Sequence, residues 1–461
     1  MHAAQRRHMV ARDLVPMTAS SGSQIRGVWQ LAWPSIVTFA LQSVVGLIDL
    51  VFVSHLGTDV VAGVGIGSQL QFAALSLIAA IATGTVALVA RATGAGDRPQ
   101  AESVVRASLV LATGLGLVLM AAAPYCEAYV SLFGVESAVV AIGGSYLRIL
   151  MFGGVPLAIS IMFASAMRGA GDVRTPLLVG LVMNIANIIG DYMLIFGHWG
   201  APELGADGSA VATAAAFTLA AAIYVALWLS HSLVLKPVAL RARIDFGLCR
   251  RIARIGIPTC LEQFTFHAGL FLFVAVFSGF GTDVVSGYFI GVRVVAFSLI
   301  PGMGFQIAAA TLVGQHLGAG HPEAAARAGW RATLGAACTM SAIGLMIALR
   351  AATIVTWFGS VSAAAESMAV TFLMIVCTAQ PLMALEFGVG GSLRGAGDTR
   401  VPLVATLLGL FVFRLGGALV VIHVFGGTIA AVWMCLLADY ATKGAILAER
   451  FRRGRWKTRS I

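Results

Sequence analysis

Apolar residues fill long, continuous stretches of the chain and do not alternate with polar ones. A helix crosses the roughly 30 Å hydrocarbon core of a membrane with about 20 mostly apolar residues. The stretches are too continuous for the strands of a membrane barrel, which alternate in polarity. The pattern therefore predicts an all-α polytopic membrane protein. Its twelve predicted transmembrane spans, numbered in chain order, are 28–53, 61–90, 104–124, 138–165, 175–197, 209–231, 253–280, 285–313, 328–350, 364–391, 400–424 and 427–448.

Composition and charge agree with this prediction. Of the 461 residues, 59% are apolar and 11% are charged, whereas soluble domains are about half apolar and about a quarter charged. Of the 30 Lys and Arg residues, 26 precede span 1 or follow an even-numbered span. This bias predicts that both chain termini are cytoplasmic. The net charge of +10 is therefore a topology signal, with membrane lipids as expected partners, and it does not indicate nucleic-acid binding.

The chain consists of two similar halves. Met167–Pro176 (MRGAGDVRTP) recurs as Leu393–Pro402 (LRGAGDTRVP) at an offset of 226, and Gly57–Gly63 recurs as Gly281–Gly287 at an offset of 224. Each half holds six spans, so the halves have the same orientation and form a parallel repeat about an axis along the membrane normal. The predicted segments are a cytoplasmic N-terminal tail 1–27, an N-lobe 28–230, a cytoplasmic basic linker 231–252, a C-lobe 253–448 and a cytoplasmic basic C-terminal tail 449–461.

The two Arg-Gly-Ala-Gly-Asp turns have an architectural interpretation. Glycine ends one helix with a positive φ, aspartate caps the next helix, and proline lies near its start. They are not phosphate-binding loops, because none of the three lysines stands in a Gly-Lys-Ser/Thr sequence. Without a nucleotide motif, an ion gradient is the expected driving force. The six cysteines have no ligand spacing, and no metal, redox centre or other cofactor is predicted.

Acidic side chains inside the predicted spans are the main functional candidates, since a charge at the bilayer centre costs at least ~2.5–3.5 kcal/mol on insertion scales. Asp49 in span 1 and Asp191 in span 5 lie at similar depth in the N-lobe. Asn184 and Asn187 precede Asp191 on one face of its helix. These residues either join helices through hydrogen bonds or form a proton site. Two acids with two amides favour the proton site.

A second group of candidates lies in the C-lobe. Glu262, Gln263 and His267 are in span 7, and Glu386 is in span 10. They either bind a cationic substrate or Na⁺, or the glutamates pair with each other or with an arginine of the lobe. His267 is expected to be a hydrogen-bonding partner, although histidine titrates near neutral pH.

The two halves share their architecture but not their acidic residues. At the repeat offsets Asp49 corresponds to Phe273 and Asp191 to Gly417. This difference is expected for functional residues on a duplicated scaffold. Asp439, in span 12, is expected to be a solvated residue or to pair with Lys443 four residues further on.

These motifs and the two six-span halves resemble those of the multidrug and toxic-compound extrusion (MATE) transporters. The resemblance covers about 25–450 and rests on Ile48–Thr58 (IDLVFVSHLGT), Asp191–Gly197 (DYMLIFG), Gly208–Thr213 (GSAVAT) and the two Arg-Gly-Ala-Gly-Asp turns. Ile257–Gln263 and Pro301–Gly320 are most similar to the DinF-like bacterial branch.

The resemblance implies two lobes around a V-shaped cavity. It also implies a monomer in the bacterial cytoplasmic (inner) membrane that exchanges H⁺ or Na⁺ for bulky, often cationic and amphipathic small molecules. In the C-lobe, Met383 occupies the place of a span-10 acid, with Glu386 one turn further, and Glu262 is displaced from the span-7 acid. These departures favour H⁺ over Na⁺. The implied proton network consists of Asp49, Tyr146, Asn187, Asp191 and Thr213.

Two alternative functions stay open at this stage. A lipid-linked precursor flippase of the same superfold would be expected to line its cavity with several arginines, whereas only Arg148, Arg293 and Arg414 are available here. A non-transporting scaffold or receptor would need no embedded acids and would be expected to carry a soluble output domain. No enzymatic activity is predicted.

Overall fold

The computed structural model describes residues 21–237, 245–358, 362–459 and 461, with side chains from residue 27 onward. Within these ranges the chain forms helices joined by short turns, and they contain no β-strand. The α-helices are α1 (Ser21–Ser54), α2 (Thr58–Gly94), α3 (Arg98–Ala122), α4 (Cys126–Ser131), α5 (Ser137–Phe152), α6 (Gly154–Gly169), α7 (Arg174–Phe196), α8 (Ala206–Leu229), α9 (Phe246–Phe277), α10 (Thr282–Gly318), α11 (Pro322–Leu349), α12 (Ala351–Thr356), α13 (Ala363–Thr378), α14 (Gln380–Gly395), α15 (Arg400–Leu407), α16 (Gly417–His423) and α17 (Ile429–Arg452).

The described helices account for the twelve predicted spans. Ten helical stretches are long and apolar enough to cross a membrane, and two bent helix pairs each qualify as one further span. The pairs are α5 with α6, bent by 55°, and α13 with α14, bent by 50°. The prediction of an all-α polytopic membrane protein is therefore confirmed, while spans 4 and 10 are each broken in two.

Proline explains both breaks. Pro156 lies in the first turn of α6, and Pro381 lies in the first turn of α14. Proline has no N–H to donate to the carbonyl four residues earlier, and its ring clashes with that carbonyl. The preceding helix therefore ends before the proline, and a new helix starts in another direction.

Span 11 contains a different irregularity. The helix begins as α15, continues through the π-helical segment Leu408–Gly416 and ends as α16. A π-helix has wider turns than an α-helix, and such segments are frequent at functional sites. This segment carries Arg414, the arginine that the sequence places inside span 11.

By packing, the chain divides into two compact units. The first unit extends from Val37 to Phe264. The second unit contains the described residues before Val37 and those from Thr265 up to residue 459. The boundaries lie inside α1 and α9, so each of these two helices contributes residues to both units.

Each unit has an aromatic core of its own. In the first unit, the rings of Phe163 and Tyr224 are stacked with centroids 5.6 Å apart. In the second, Tyr288, Phe372 and Trp433 form a chain of edge-to-face contacts. Such aromatic pairs add about 0.5–1.5 kcal/mol beyond the burial of their surface.

Many large apolar side chains remain on the surface of the helices. Val118, Leu178 and Leu345 are each at least 60% exposed, and each lies within a long apolar helix. A soluble monomer rarely exposes large contiguous apolar patches. These side chains are suited to contact with lipid chains.

The two Arg-Gly-Ala-Gly-Asp turns have the expected backbone but differ in their aspartates. Gly171 and Gly397 have φ values of +90° and +80°, as predicted for glycines that end a helix. Asp172 accepts hydrogen bonds from the backbone N–H groups of Arg174 and Thr175 at 3.1 and 3.0 Å, which confirms the predicted cap. Asp398, its counterpart in the repeat, is 1% exposed and pairs with arginines from the end of the chain.

Arg450 lies near the end of α17, and Arg459 belongs to the segment after it, a tail that packs on the second unit. Trp456 is fully buried, its ring stacks on Phe451 at 4.6 Å, and its Nε1 donates a hydrogen bond to the Phe451 carbonyl at 2.8 Å. Arg459 contacts Asp398, and Lys457 Nζ lies 2.7 Å from Glu323 Oε1. The tail therefore binds the start of α11 and the turn before α15.

Candidate functional site: a carboxyl pair in the first unit

Asp49 on α1 and Asp191 on α7 are neighbours inside the first unit. Their carboxyl groups lie close enough to interact electrostatically. Asp191 is fully buried and Asp49 is half-buried. Neither oxygen of Asp191, nor Oδ1 of Asp49, has a hydrogen-bond partner of good geometry among the described residues. The structure thus brings together two acids that lie 142 positions apart in the sequence.

Among the residues that the structure describes, no fixed counter-ion accompanies this pair. Within the described ranges, no Lys, Arg or His side chain forms an ion pair with Asp49 or Asp191. Two adjacent buried carboxylates repel each other, and each loses the solvation of water. Two bare carboxylates are therefore unfavourable at this position.

Tyr146 on α5 provides the polar wall beside the carboxyl groups. Its side chain is 7% exposed, and its hydroxyl interacts with the side chains of Ser68 on α2 and Ser209 on α8. The phenol also interacts electrostatically with both aspartates. Tyr146 is therefore part of the cluster, together with two serines that were not among the predicted residues.

Asn187 connects α7 with α8. Its Nδ2 donates a hydrogen bond to Oγ1 of Thr213 at 3.3 Å. Asn184, Asn187 and Asp191 are all buried on one face of α7, as their i, i+3, i+7 spacing predicts. Five helices of one unit carry these residues, and the Asn187–Thr213 hydrogen bond shares α7 with Asp191 and α8 with Ser209. A role of the five residues in proton coupling stays a prediction.

The second group of predicted residues does not come together in one unit. Glu262 and Gln263 belong to the part of α9 that packs in the first unit, where Glu262 is buried and Gln263 is exposed. His267 and Glu386 belong to the second unit, and both are half-buried. Glu386 interacts electrostatically with Lys443.

No group of three or more His, Cys, Asp or Glu side chains suited to a metal ion occurs among the residues that the structure describes. The cluster around Asp191 contributes only two carboxylates, with hydroxyl and amide groups around them.

The protein is helical and polytopic, it consists of two similar six-span halves, and it contains a carboxyl pair in one unit. These features are typical of membrane carriers. The comparisons with known proteins agree: the MatE family model matches residues 34–193 and 258–420, and the chain belongs to this family of transporters. The resemblance that the sequence motifs indicated is thereby confirmed. The DinF-like branch stays a prediction.

The relatives match along most of their length. The probable multidrug resistance protein NorM of Thermotoga maritima is 29% identical over 437 residues, which cover 94% of this chain and 93% of the relative. The protein of the same description from Bradyrhizobium diazoefficiens is 28% identical over 429 residues, with 92% of each chain covered.

Solved structures show the same fold. A MOP superfamily transporter from Pyrococcus furiosus superposes with a TM-score of 0.88 at 21% identity, covering 95% of this chain and 97% of that chain. A multidrug resistance MATE family transporter in an outward-facing conformation gives a TM-score of 0.87 at 21% identity, with 94% and 97% covered.

Proposed function

We propose that the protein is a proton-coupled antiporter that exports bulky, often cationic and amphipathic compounds by alternating access. The observation that carries the proposal is the buried Asp49–Asp191 pair without an ion-paired cation among the described residues. The names of the relatives, which are described as multidrug resistance proteins, support the substrate class.

The chemistry of antiport follows from the lack of a fixed counter-ion. A carboxyl pair in a low-dielectric site is stable when it holds a proton or when it holds another cation, and the two occupants compete. Proton entry from outside therefore displaces a bound cation, and proton release inside prepares the site for the next one. The membrane potential supplies ~2.3 kcal/mol per charge per 100 mV to this exchange.

Na⁺ is the competing coupling ion. The carboxylates, the Tyr146 phenol and the Thr213 hydroxyl offer oxygen atoms, which are the ligands of hard cations. We propose H⁺ because the C-lobe acids expected for Na⁺ coupling do not match, and because a carboxyl pair needs no further ligands to hold a proton.

Transport in liposomes tests the proposal. Purified protein is reconstituted, a pH gradient or a Na⁺ gradient is imposed, and the movement of a panel of cationic dyes is recorded. Asp191→Asn is expected to insert normally but to lose pH-driven transport, because an amide cannot take up and release a proton. Asp59→Asn, which changes an exposed acid at the start of α2, is the control.

Two outcomes decide against the proposal. Full pH-driven transport by Asp191→Asn would remove the carboxyl pair from the mechanism. Transport driven by the Na⁺ gradient alone would identify Na⁺ as the coupling ion.

We further propose that the protein lies in the bacterial inner membrane with both termini in the cytoplasm. The charge bias along the sequence supports this orientation. Single reporter cysteines in the two tails, in a variant without the native cysteines, are expected to react with membrane-impermeant reagents only after the cells are opened.

A further inference from the structure

The second unit contains a buried ion cluster that the proposed coupling mechanism does not use. Arg414 Nη2 lies 2.5 Å from Asp439 Oδ2, and Lys443 Nζ lies 3.2 Å from Asp439 Oδ1. The side chains of Arg414, Lys443 and Asp439 are 2%, 1% and 0% exposed. The expected pair of Asp439 with Lys443 is present, but Asp439 is fully buried and is not solvated.

Aromatic rings and one further acid surround this cluster. The Arg414 guanidinium lies over the rings of Phe273 and Tyr440, at 5.8 and 5.3 Å from their centroids. Lys443 Nζ lies 5.3 Å from the Tyr440 centroid and also interacts electrostatically with Glu386. The charged groups of the cluster are thus two cations and two carboxylates, and their formal charges balance.

Local backbone geometry explains how Arg414 reaches Asp439. Arg414 lies in the π-helical segment of span 11, whose wider turns change the direction of its side chains. Gly409, in the same segment, contacts Asp439 so closely that a Cβ atom there would collide with Oδ1 of that residue. The segment and the missing side chain allow span 11 and α17 to enclose the ion pair.

The repeat relates this cluster to the carboxyl pair of the first unit. At the offset of 224, Asp49 corresponds to Phe273, the ring that Arg414 covers. Asp191 lies on α7, and its repeat equivalent is the helix that carries Arg414. Ser209 and Thr213 lie on α8, and its equivalent is α17, which carries Asp439 and Lys443. Equivalent helices therefore hold carboxyl groups without a counter-ion from the described residues in one unit, and a carboxylate with tethered cations in the other.

We propose that Arg414 and Lys443 are resident counter-ions that occupy the carboxylate of the second unit permanently and so confine ion exchange to the first unit. A tethered guanidinium takes the place of the exchangeable cation, and the balanced cluster offers no net charge to attract one from solution. This inference rests on the proposed antiport and adds to it the number of exchange sites, which is one for each transporter.

Removal of the resident cation tests this proposal directly. Arg414→Ala leaves the cluster with one cation for two carboxylates and a cavity of the size of the lost side chain. We expect methylguanidinium or Na⁺ to bind there and to raise the melting temperature of the detergent-solubilised variant in a saturable way. Choline chloride at equal ionic strength is the salt control.

The wild type and Arg414→Ala/Asp439→Asn are expected to show no such rise, because the first keeps its guanidinium and the second has lost the charge that binds the probe. An equal response of all three proteins, or no response of Arg414→Ala, would overturn the proposal.

A neutral pair provides a test that does not leave a lone buried charge. Arg414→Gln/Asp439→Asn keeps polar side chains of similar size at both positions and leaves Lys443 with Glu386. We expect pH-driven transport by this variant with the pH profile of the wild type. Loss of pH-driven transport with normal membrane insertion would show that Asp439 takes part in coupling.

The proposed antiport mechanism and the proposed counter-ion role of Arg414 are contradicted by different results. Retained pH-driven transport in Asp191→Asn contradicts the proposed antiport mechanism, whatever the Arg414 variants do. The cation-dependent melting of Arg414→Ala measures occupancy of the second unit without any transport step.

Discussion

The hydroxyl of Tyr146 is the group that links the carboxyl pair with the surrounding helices. It interacts with Ser68 and Ser209 and, electrostatically, with Asp49 and Asp191. Each contact is small in energy, but the side chain is 93% buried and cannot replace these partners with water. At the scale of single residues, we therefore expect the Tyr146 hydroxyl to contribute to the stability of the folded protein.

Tyr146→Phe tests this dependence. Removal of the hydroxyl takes away its interactions with Ser68 and Ser209. Because a helical serine can bond to its own backbone instead, we expect a loss of about 0.5–1.5 kcal/mol of unfolding free energy. The melting temperature in detergent should fall accordingly. Tyr125→Phe, at a side chain that is 62% exposed, should leave it unchanged. Equal melting temperatures for both variants would contradict the role of the Tyr146 hydroxyl.

Thr213 provides a test of coupling at the same scale. Thr213→Val keeps the shape of the side chain but removes the acceptor of the Asn187 hydrogen bond. Such bonds in membrane proteins average about 0.6 kcal/mol, so the protein should remain folded. We expect the pH dependence of dye transport in liposomes to shift.

Thr218→Val on the same helix is the matched control, because the Thr218 hydroxyl bonds only to the Ala214 carbonyl of its own helix. If the pH profile of transport changed equally in both variants, the prediction that Thr213 takes part in coupling would be wrong.

The sequence revealed some of these residues and not others for a physical reason. Acids and amides inside an apolar span are conspicuous, because burying them costs energy that only a function or a partner compensates. Ser68 and Ser209 are not conspicuous, because a helical serine bonds to its own backbone and is common in membrane helices. Only the position of Tyr146 in three dimensions identifies them.

At the scale of elements, the turns of the repeat depend on glycine. Gly171 has a φ of +90°, a conformation that costs an L-residue about 1–2 kcal/mol or more. Gly171→Ala should lower the unfolding free energy of the protein by about this amount. The measurement is denaturant unfolding in mixed micelles.

Gly114→Ala is the control for this substitution. Gly114 lies inside α3, and no atom lies within 4 Å of the position that its Cβ would take. Alanine favours a helix by up to about 1 kcal/mol relative to glycine, so this variant should be neutral or slightly more stable. Similar destabilisation by both substitutions would contradict the argument from φ.

Helix positions were easier to predict than helix shapes. A minimum length of about 20 apolar residues fixes where a span can lie, and all twelve were found in this way. The breaks before Pro156 and Pro381 have a visible cause in the sequence, but their angles depend on what the following helix packs against. The π-helical segment around Arg414 has no such visible cause, and the partner of Arg414, Asp439, lies on another helix.

At the scale of the whole molecule, the end of the chain joins segments that are far apart in sequence. Trp456 is fully buried on Phe451, and the residues after it contact Glu323 and Asp398. Trp456→Ala should destabilise the protein by about 3–5 kcal/mol, as is typical of large buried aromatic residues. Trp357→Ala, at a residue 77% exposed, should have little effect in the same thermal unfolding measurement.

The sequence repeat predicted two halves but not the details of their packing. Repeat offsets report which segments share an ancestor, so they locate six spans in each half. They do not report that residues before Val37 pack in the second unit, or that α9 contributes to both. They also do not distinguish Asp172, which caps a helix, from Asp398, which binds the tail.

The buried position of Trp456 has a practical consequence for handling the protein. Only five residues follow it, so an affinity tag or a fluorescent reporter fused directly to Ile461 would start beside a docked segment. The fused domain would interfere sterically with the stacking of Trp456 on Phe451 and with the ion pair between Arg459 and Asp398. A flexible spacer of about ten residues, which spans about 15–20 Å as a coil, should keep such a fusion clear of the tail.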